Sequence, residues 1–371
     1  MSDTRKTTKP NVPNLRFPGF SGEWASRRIG EDCTVNMCKR IFANQTSEQG
    51  DVPFFKIGTI GGTPDAYITR DLFEEYKAKY NYPHEGEVMI TCAGTVGKTI
   101  VFDGEDAYFQ DSNIVWLSNP KQLYINSFLN YVLSRVNWNI LNSTTITRIY
   151  NDNLRELVIN YPSIKEQEKI VALLSLLDRR IAIQNKVIEK YESLIKALAH
   201  EIIGKNAPNT MLSECVCCTS STLKESDLSD AGAVPAYGAA GISGFIDSAL
   251  SDGDSILITK DGSGVGSLRY VVGPHSFVGT LNSMTSKEEV YLPYIYYALQ
   301  NVCFESYRTG QAIPHIYFKD YGRVLLYLPS FAVQKRVARG LERIDKMIDN
   351  ERRILQGLQT AKAFFLVSLF I

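Results

Sequence analysis

The chain repeats part of its own sequence, and this duplication limits the folds that it can adopt. Pro329-Ser330 lies 167 residues after Pro162-Ser163, and a glycine-rich segment at 91–97 returns, with a small insertion, at 259–266. Because the matched segments keep the same order in both halves, they indicate two copies of one structural unit. Further identical pairs at the same offset are Ile149 with Ile316, Tyr150 with Tyr317, Gln167 with Gln334, Leu174 with Leu341, Asp178 with Asp345 and Ile181 with Ile348.

Each copy ends in a long segment with the apolar pattern of a coiled coil. Apolar residues alternate at spacings of four and three, and one seam position is polar in both copies, Gln184 and Glu351. A period of 3.5 favours helix packed against helix, and a polar seam residue usually fixes register. Two equal seams predict an antiparallel intramolecular pair that acts as a rigid spacer; the alternative is two amphipathic helices, each packed on its own domain. The predicted seam residues are Ile170, Leu174, Leu177, Ile181, Gln184, Ile188, Val337, Leu341, Ile344, Ile348, Glu351 and Leu355.

The segments before the two helices predict globular domains built from many short strands. Runs rich in β-branched residues at 88–91 and 255–258 each lead into a glycine turn, and another strand-like run follows each turn. The predicted fold class is therefore α+β, with two mixed α/β domains in tandem, each followed by a long helix, and the helices paired as an antiparallel coiled coil. The predicted boundaries are 1–161 and 206–328 for the domains, and 162–205 and 329–371 for the helices.

Composition narrows the class of protein further. The chain has 40 Lys and Arg against 40 Asp and Glu, so any basic surface for nucleic acid must be local. The seven cysteines lack the spacing of a disulfide framework, and the N-terminus is polar, which together predict a cytoplasmic protein. No apolar run approaches the ~20 residues of a membrane span.

No pattern in the sequence predicts catalysis or a metal site. Gly97-Lys98-Thr99 resembles the end of a phosphate-binding loop, but Cys92 stands where that motif needs glycine, so a hairpin turn with exposed amides is predicted instead. Asp65 and Glu75 could form a nuclease only if both reached one metal ion. The cluster at 215–218 lacks a partner pair at zinc spacing, and its cysteines are predicted to be buried small side chains.

The sequence resembles a known family, the specificity (S) subunits of type I restriction-modification enzymes, over essentially its whole length. The resemblance is carried by the opening segment at 13–24, by the glycine-rich segment at 86–98, and by the two Pro-Ser-x-x-x-Gln helix entries at 162–167 and 329–334. One departure is that the second globular half is shorter than the first. This shortening weakens the transfer of contact positions to that half.

The resemblance implies a non-catalytic subunit with two target recognition domains, each reading one half of an asymmetric, bipartite site in double-stranded DNA. The helix pair would set the length of the unread spacer. Two adenine-N6 methyltransferase (M) subunits would dock on the helical region, and translocating endonuclease (R) subunits would complete the complex. The chain itself would need no cofactor, because S-adenosylmethionine, ATP and Mg²⁺ would be used by these partners.

Duplex recognition needs donors for phosphates and a few side chains at base edges, and the glycine turns and polar loops of each half offer both. A scaffold that joins proteins through its helices without binding DNA is the main alternative, and a nuclease built on Asp65 and Glu75 is a third. The divergence of the polar loops between the halves favours DNA reading. The candidate DNA contacts are Lys39, Arg40, Thr95, Lys98, Thr147, Arg148, Ser263, Ser267, Gln311 and His315.

Overall fold

A computed structural model describes residues 11–138, 148–310 and 313–371. The chain divides into two compact units, which are described separately below. Unit 1 consists of Met1–Ala182 with Gln356–Ile371, and unit 2 consists of Ile183–Leu355. Because this division cuts both long helices, it differs from the predicted boundaries, which follow the helix ends. The boundaries at 161, 205 and 328 therefore stay predictions.

Short strands alternate with short helices in both units, and two helices are much longer than the rest. The strands are β1 (Ala25–Arg28), β2 (Thr34–Asn36), β3 (Val52–Phe55), β4 (Tyr67–Ile68), β5 (Val88–Thr91), β6 (Thr99–Val101), β7 (Tyr108–Phe109), β8 (Ile114–Ser118), β9 (Val158–Tyr161), β10 (Thr210–Met211), β11 (Val216–Ser220), β12 (Val234–Gly238), β13 (Gly241–Ile246), β14 (Ser255–Thr259), β15 (Leu268–Val271), β16 (Ser276–Phe277), β17 (Leu281–Ser286) and β18 (Leu325–Leu326). The α-helices are α1 (Ile29–Asp32), α2 (Arg70–Lys79), α3 (Asn126–Ser134), α4 (Asn151–Glu156), α5 (Ile164–Ala199), α6 (Leu212–Cys215), α7 (Leu292–Leu299), α8 (Phe318–Tyr321) and α9 (Phe331–Ser368). Single turns of 3₁₀-helix lie at Ala43–Gln45, Glu225–Asp227 and Phe304–Tyr307, and a π-helical turn at His200–Gly204 extends α5.

Unit 1 is built on a four-stranded antiparallel sheet in the order β2-β8-β5-β6. The two central strands, β5 and β8, are almost wholly buried, which explains why both are nearly continuous apolar runs. A three-stranded sheet, β4-β3-β7, packs its aromatic side chains with Phe73 of α2 and Trp116 of β8 in one core. Strands β1 and β9 pair where the chain enters and leaves the globular part.

Unit 2 repeats this architecture strand for strand. Its four-stranded sheet has the order β11-β17-β14-β15, its three-stranded sheet the order β13-β12-β16, and β10 pairs with β18. The parallel pair β3–β7 of unit 1 also has its counterpart in the parallel pair β12–β16. The duplication that the sequence predicted is therefore confirmed at the level of sheet topology, as is the mixed α/β character of each half.

The predicted hairpin at Gly97-Lys98-Thr99 is confirmed. Strands β5 and β6 pair antiparallel on either side of this turn, and residues 99–101 continue as a strand. A phosphate-binding loop would lead into a helix at this point. In unit 2, β14 and β15 form the equivalent hairpin around the second glycine turn.

The long helices α5 and α9 begin at the residue directly after each Pro-Ser pair. Each predicted seam residue in them is buried or half-buried. Within unit 1, Lys362 Nζ of α9 lies 2.5 Å from Asp178 Oδ1 of α5. Within unit 2, Gln184 Nε2 donates to the Glu351 main-chain oxygen at 3.1 Å and also to the Glu351 carboxylate. Across the described ranges, no helix is both long enough and apolar enough to cross a membrane.

A buried glutamine near the start of each long helix ties it to the globular part. Gln167 Nε2 donates to the Leu123 and Pro162 carbonyls at 2.9 and 3.0 Å, and its Oε1 accepts from the Ile125 N–H at 2.8 Å. Gln334 of unit 2 makes the corresponding three bonds. This explains why Pro-Ser-x-x-x-Gln recurs: the glutamine joins the helix entry to the segment that starts α3 or α7.

We expect Gln167→Met to lower the free energy of unfolding by at least about 3 kcal/mol, because one N–H and two carbonyls lose their partner and each buried group left unpaired costs ~1–3 kcal/mol. Urea unfolding followed by circular dichroism would measure the loss. Gln359→Met, on the exposed side of α9, is the matched control and should change stability by less than about 0.5 kcal/mol. Equal effects of the two substitutions would contradict the bridging role.

The prediction for the cysteines at 215–218 is correct in part. Cys215 is fully buried, and burial raises the pKa of its thiol to about 11, as for a small core side chain. Cys217, however, is exposed, because β11 pairs only with β17 at the edge of its sheet and alternate side chains point outwards. The prediction of burial was therefore wrong for Cys217.

Candidate functional site

Each unit carries a glycine turn at the end of its central hairpin. Gly97 has φ +83° and Gly266 has φ +85°, a left-handed conformation that strongly favours glycine. Both turns also lack space for a side chain. A Cβ at Gly97 would lie 2.1 Å from Trp138 Cδ1, and a Cβ at Gly266 would lie 2.6 Å from Phe304 Cβ. Glycine is therefore required at both positions by backbone conformation and by packing.

The chain returns to each turn after α3 or α7 and forms a hydrogen bond with it. In unit 1 the Ile149 N–H donates to the Cys92 carbonyl at 2.8 Å, and in unit 2 the Ile316 N–H donates to the Lys260 carbonyl at 2.9 Å. We call residues 92–98 with 148–150 the first turn site, and residues 260–267 with 313–317 the second turn site. The repeat thus places the same two chain segments side by side in both units.

The first turn site brings together three of its predicted contact residues. The Lys98 ammonium donates to the Ile60 carbonyl at 2.6 Å, and Arg148 Nη2 donates to the Ser112 carbonyl at 3.2 Å. Thr95 is exposed at the tip of the turn. Two cations and one exposed hydroxyl therefore belong to the two segments that the Ile149–Cys92 hydrogen bond joins, a combination that suits a negatively charged ligand.

Several main-chain N–H groups of these turns form hydrogen bonds within the turn. They were predicted to be exposed, but the Gly97 N–H donates to the Thr91 carbonyl and the Lys98 N–H to the Thr91 hydroxyl. In the second turn site, the Gly266 N–H donates in the same way to the Thr259 carbonyl. A left-handed glycine folds the chain back on the preceding strand, so these N–H groups stabilise the turn itself.

Cys92 occupies the position at which a phosphate-binding loop would have its first glycine. Burial raises the pKa of the Cys92 thiol to about 12, and the nearby Arg148 guanidinium offsets only part of this shift. The thiol is therefore neutral at physiological pH and contributes packing to the first turn site. Its carbonyl has the more specific role, since it holds the returning chain at Ile149.

The second turn site contains three of the predicted residues on the same backbone frame. His315 Nδ1 forms a hydrogen bond with the Asp261 carboxylate, and the Thr309 hydroxyl donates to the His315 carbonyl at 3.1 Å. Ser263 and Ser267 are exposed on the turn. The side chains at the matched positions differ from those of the first site, where Lys98 and Arg148 are basic.

The two basic residues predicted as DNA contacts at 39–40 have different neighbours in the structure. Arg40 Nε donates to Asp111 Oδ2 at 2.7 Å, and Asp111 directly precedes Ser112, whose carbonyl holds Arg148. The Lys39 ammonium instead lies 5.4 Å from the centre of the Tyr80 ring. Arg40 therefore belongs to the surface of the first turn site, whereas Lys39 does not join it.

Residues that orient these cations were missed by sequence reasoning. Asp111 pairs with Arg40, which is 71 residues away in the sequence, so no local sequence pattern indicates this contact. Asp261 lies inside the second glycine turn, so its position in that repeated segment was the available signal. Thr147 and Gln311, which were also predicted to contact DNA, lie outside the described residues.

The carboxylates considered for a nuclease do not act as a pair. Lys56 Nζ donates to Asp65 Oδ2 at 3.0 Å, and Lys79 Nζ donates to Glu75 Oε1 at 2.8 Å. Within the described residues, no cluster of three or more histidine, cysteine or carboxylate side chains is placed to hold a metal ion. The geometry gives the nuclease hypothesis no support.

The chain is similar to proteins of one known family. A family model for the type I restriction modification DNA specificity domain matches residues 21–193 and 216–360. A putative type I restriction enzyme specificity subunit of Haemophilus influenzae is 48% identical over 161 residues, which are 43% of this chain and 41% of the relative. The chain thus spans about two fifths of that relative's length. A putative type I specificity subunit of Mycoplasma pneumoniae is 24% identical over 97% of this chain and 99% of its own length.

Solved structures show the same fold. The crystal structure of a type I restriction-modification system S subunit from M. genitalium has a TM-score of 0.68 at 22% identity, over 97% of this chain and 99% of that chain. A chain from a structure on complex assembly of the type I restriction-modification system has a TM-score of 0.52 at 16% identity, over 95% and 98% of the two chains.

Proposed function

The chain belongs to the family of type I restriction-modification DNA specificity proteins, and we propose that it is the subunit that selects the DNA sequence in such a system. In this role each unit binds one half of a bipartite, asymmetric site in double-stranded DNA. The chain positions methyltransferase and endonuclease subunits on that site and performs no catalysis itself.

The observation that carries this proposal is the pair of turn sites. Their backbones match, down to the left-handed glycine and the returning isoleucine N–H, whereas the side chains that they present differ. Lys98 corresponds to Ser267, and Arg148 corresponds to His315. Two readers of different half-sites need this combination: a common frame for the DNA backbone and different side chains for different bases. A scaffold that does not bind DNA would not require the side chains to diverge on a preserved frame.

We assign the DNA contacts to the exposed polar residues of the two turn sites and to Arg40 beside the first. Arginine and lysine contact phosphates or guanine, and hydroxyls can bond either phosphates or bases. Arg40 and Arg148 are held by adjacent residues of one loop, so DNA can reach both together. The proposed contact residues within the described ranges are Arg40, Thr95, Lys98, Arg148, Ser263, Ser267 and His315.

We also propose that α5 and α9 pair as an antiparallel coiled coil whose length sets the unread gap of the DNA site. Two contacts support this pairing. Lys362, late in α9, meets Asp178, early in α5, and Gln184 meets Glu351 at the same seam position of the repeat. An early residue paired with a late one requires antiparallel helices. Gln184 and Glu351 are equivalent positions of the repeat, and a contact between equivalent positions is expected when a two-fold axis relates the two helices.

The partners are proposed from the family. The long helices expose several large apolar side chains, and exposed apolar surface of this kind is typical of a site that binds another protein. We propose that two methyltransferase subunits dock on the helices and use S-adenosylmethionine, and that ATP- and Mg²⁺-dependent translocating endonuclease subunits join them. The exposed apolar residues of α5 and α9 are Ile164, Leu176, Ile183, Leu194, Phe331, Met347, Ile354, Phe364 and Val367.

Methylation mapping would test the function directly. Co-expressing this chain with its methyltransferase partner should add N6-methyladenine at one bipartite sequence in the host genome, and omitting the chain should abolish it. Long-read sequencing detects the modified motif. If both proteins are present and folded and the host gains no motif, the proposed function is wrong and the scaffold alternative gains support.

A further inference from the structure

Two exposed tyrosines stand at matched positions of the repeat, as the last residue of each turn site. Tyr150 is 59% exposed and Tyr317 is 47% exposed, although each follows an isoleucine that is almost completely buried. The buried residues, Ile149 and Ile316, form the main-chain hydrogen bonds that hold the returning chain against each glycine turn. The tyrosines are therefore carried on rigidly anchored backbone.

At least one basic side chain lies near each tyrosine ring. The Arg148 guanidinium carbon lies 6.0 Å from the centre of the Tyr150 ring. The His315 ring lies 4.1 Å from that of Tyr317, and the Lys319 ammonium lies 5.3 Å from the Tyr317 ring centre. Within the described residues, neither tyrosine hydroxyl has a hydrogen-bond partner. An exposed, unpaired hydroxyl donor on a ring that lies near a cation is suited to an anionic oxygen.

We propose that Tyr150 and Tyr317 each bind a phosphate of the DNA backbone through the phenolic hydroxyl, and so fix each unit on the duplex independently of its sequence. This inference rests on the proposed function and identifies residues that the candidate list did not include. Each hydroxyl donates one hydrogen bond to a phosphate oxygen, and the neighbouring cations strengthen the local attraction for that phosphate.

The repeat itself argues for a phosphate rather than a base as the partner. The tyrosine is the same in both copies, whereas its neighbours differ: Arg148 corresponds to His315, and Asn151 corresponds to Phe318. Bases differ between two half-sites, but the backbone that each unit must hold is the same. Both units retain the tyrosine although the residues around it diverge. We therefore match the tyrosine to the DNA backbone, which is the feature that the two half-sites share.

Tyr150→Phe and Tyr317→Phe test the proposal, because each removes only the hydroxyl. DNA binding would be measured for the full chain in complex with its methyltransferase partner, on a duplex carrying the mapped site and on a scrambled duplex of equal length. We expect each variant to bind both duplexes about tenfold more weakly, the effect of one hydrogen bond to a charged group. The ratio of the two affinities should be unchanged. The salt dependence should also be unchanged, since no charge is removed.

Tyr80→Phe is the matched control. Tyr80 is also exposed and also lies beside a lysine, Lys39, but it has no tyrosine counterpart in unit 2 and belongs to neither turn site. This variant should bind like the wild type, and all three should melt at the wild-type temperature.

Two outcomes would overturn the inference, and a third would refute the proposed function on which it rests. Unchanged binding by both turn-site variants would exclude a role for the hydroxyls, as expected if the rings act as apolar wedges. Weakened binding to the mapped site alone would mean that the tyrosines read bases. A wild-type complex that prefers no sequence would instead refute the proposed function, so the two failures are distinguishable.

Discussion

Replacing Gly266 with alanine should lower the free energy of unfolding of unit 2 by about 2–5 kcal/mol. Of this, about 1–2 kcal/mol comes from holding a side chain at a φ of +85°. A further 1–3 kcal/mol comes from overpacking, because the new Cβ would lie 2.6 Å from Phe304 Cβ. Since this contact is with a Cβ rather than the end of a flexible side chain, backbone must move to relieve it.

The same turn supplies its own control for this substitution. Gly262 has φ +92°, but a Cβ there would meet nothing within 4 Å. Gly262→Ala therefore carries the conformational strain alone and should cost about 1–2 kcal/mol. Urea unfolding of the two variants, followed by circular dichroism, separates strain from packing. If the two variants lose equal stability, the close packing against Phe304 is not a determinant of the turn.

The Gly266 substitution should also weaken DNA binding, because the displaced turn carries Ser263 and Ser267. We expect the loss to be confined to the half-site read by unit 2, while the half-site of unit 1 remains selected. Gly97→Ala should produce the reciprocal result, and its Cβ would meet the Trp138 ring at 2.1 Å. Methylation of substrates with one half-site altered at a time would assign each half-site to its unit.

Much of the fold could be predicted because its signals are periodic or repeated. The strand at Val88–Thr91 has the predicted bounds, since a buried strand must be an apolar run bounded by turn residues. The long helices follow from the heptad pattern, and Gln167 and Gln334 could be matched across the repeat before their shared hydrogen bonds were seen. The family resemblance was carried by these same features and is confirmed by the family match over residues 21–193 and 216–360.

The details of the site were less predictable because they depend on contacts between distant residues. The guanidinium of Arg40 is held by Asp111, and that of Arg148 by the Ser112 carbonyl, neither of which a local pattern indicates. The internal bonding of the Gly97 and Gly266 N–H groups depends on how tightly each turn folds back on its strand. Tyr150 and Tyr317 were visible in the repeat, but only their exposure beside the turns makes them candidates for binding.

Lengthening both long helices by one heptad should lengthen the unread gap of the DNA site by about three base pairs. Seven helical residues add ~10.5 Å, and successive base pairs are ~3.4 Å apart. We would duplicate residues 181–187 in α5 and 348–354 in α9, since the repeat relates these segments. Each duplication adds a second copy of the polar seam residue, Gln184 or Glu351, so every seam residue keeps a partner of its own kind. Both half-sites should be unchanged, because neither turn site is altered.

Methylation mapping gives both the gap and the half-sites from the same data. It therefore tests whether the length of the helices sets the gap, without a prior choice of substrate. Three extra base pairs also rotate the duplex by about 100°, so we expect the new motif to be methylated more slowly than the original. Duplicating 181–187 alone is the control: α5 then outgrows α9, the seam beyond the insertion loses register, and methylation should fall sharply. An unchanged gap in the double duplication would show that the helices do not set the spacing. Altered half-sites would show that the helices take part in reading bases, which would contradict the assignment of sequence recognition to the turn sites.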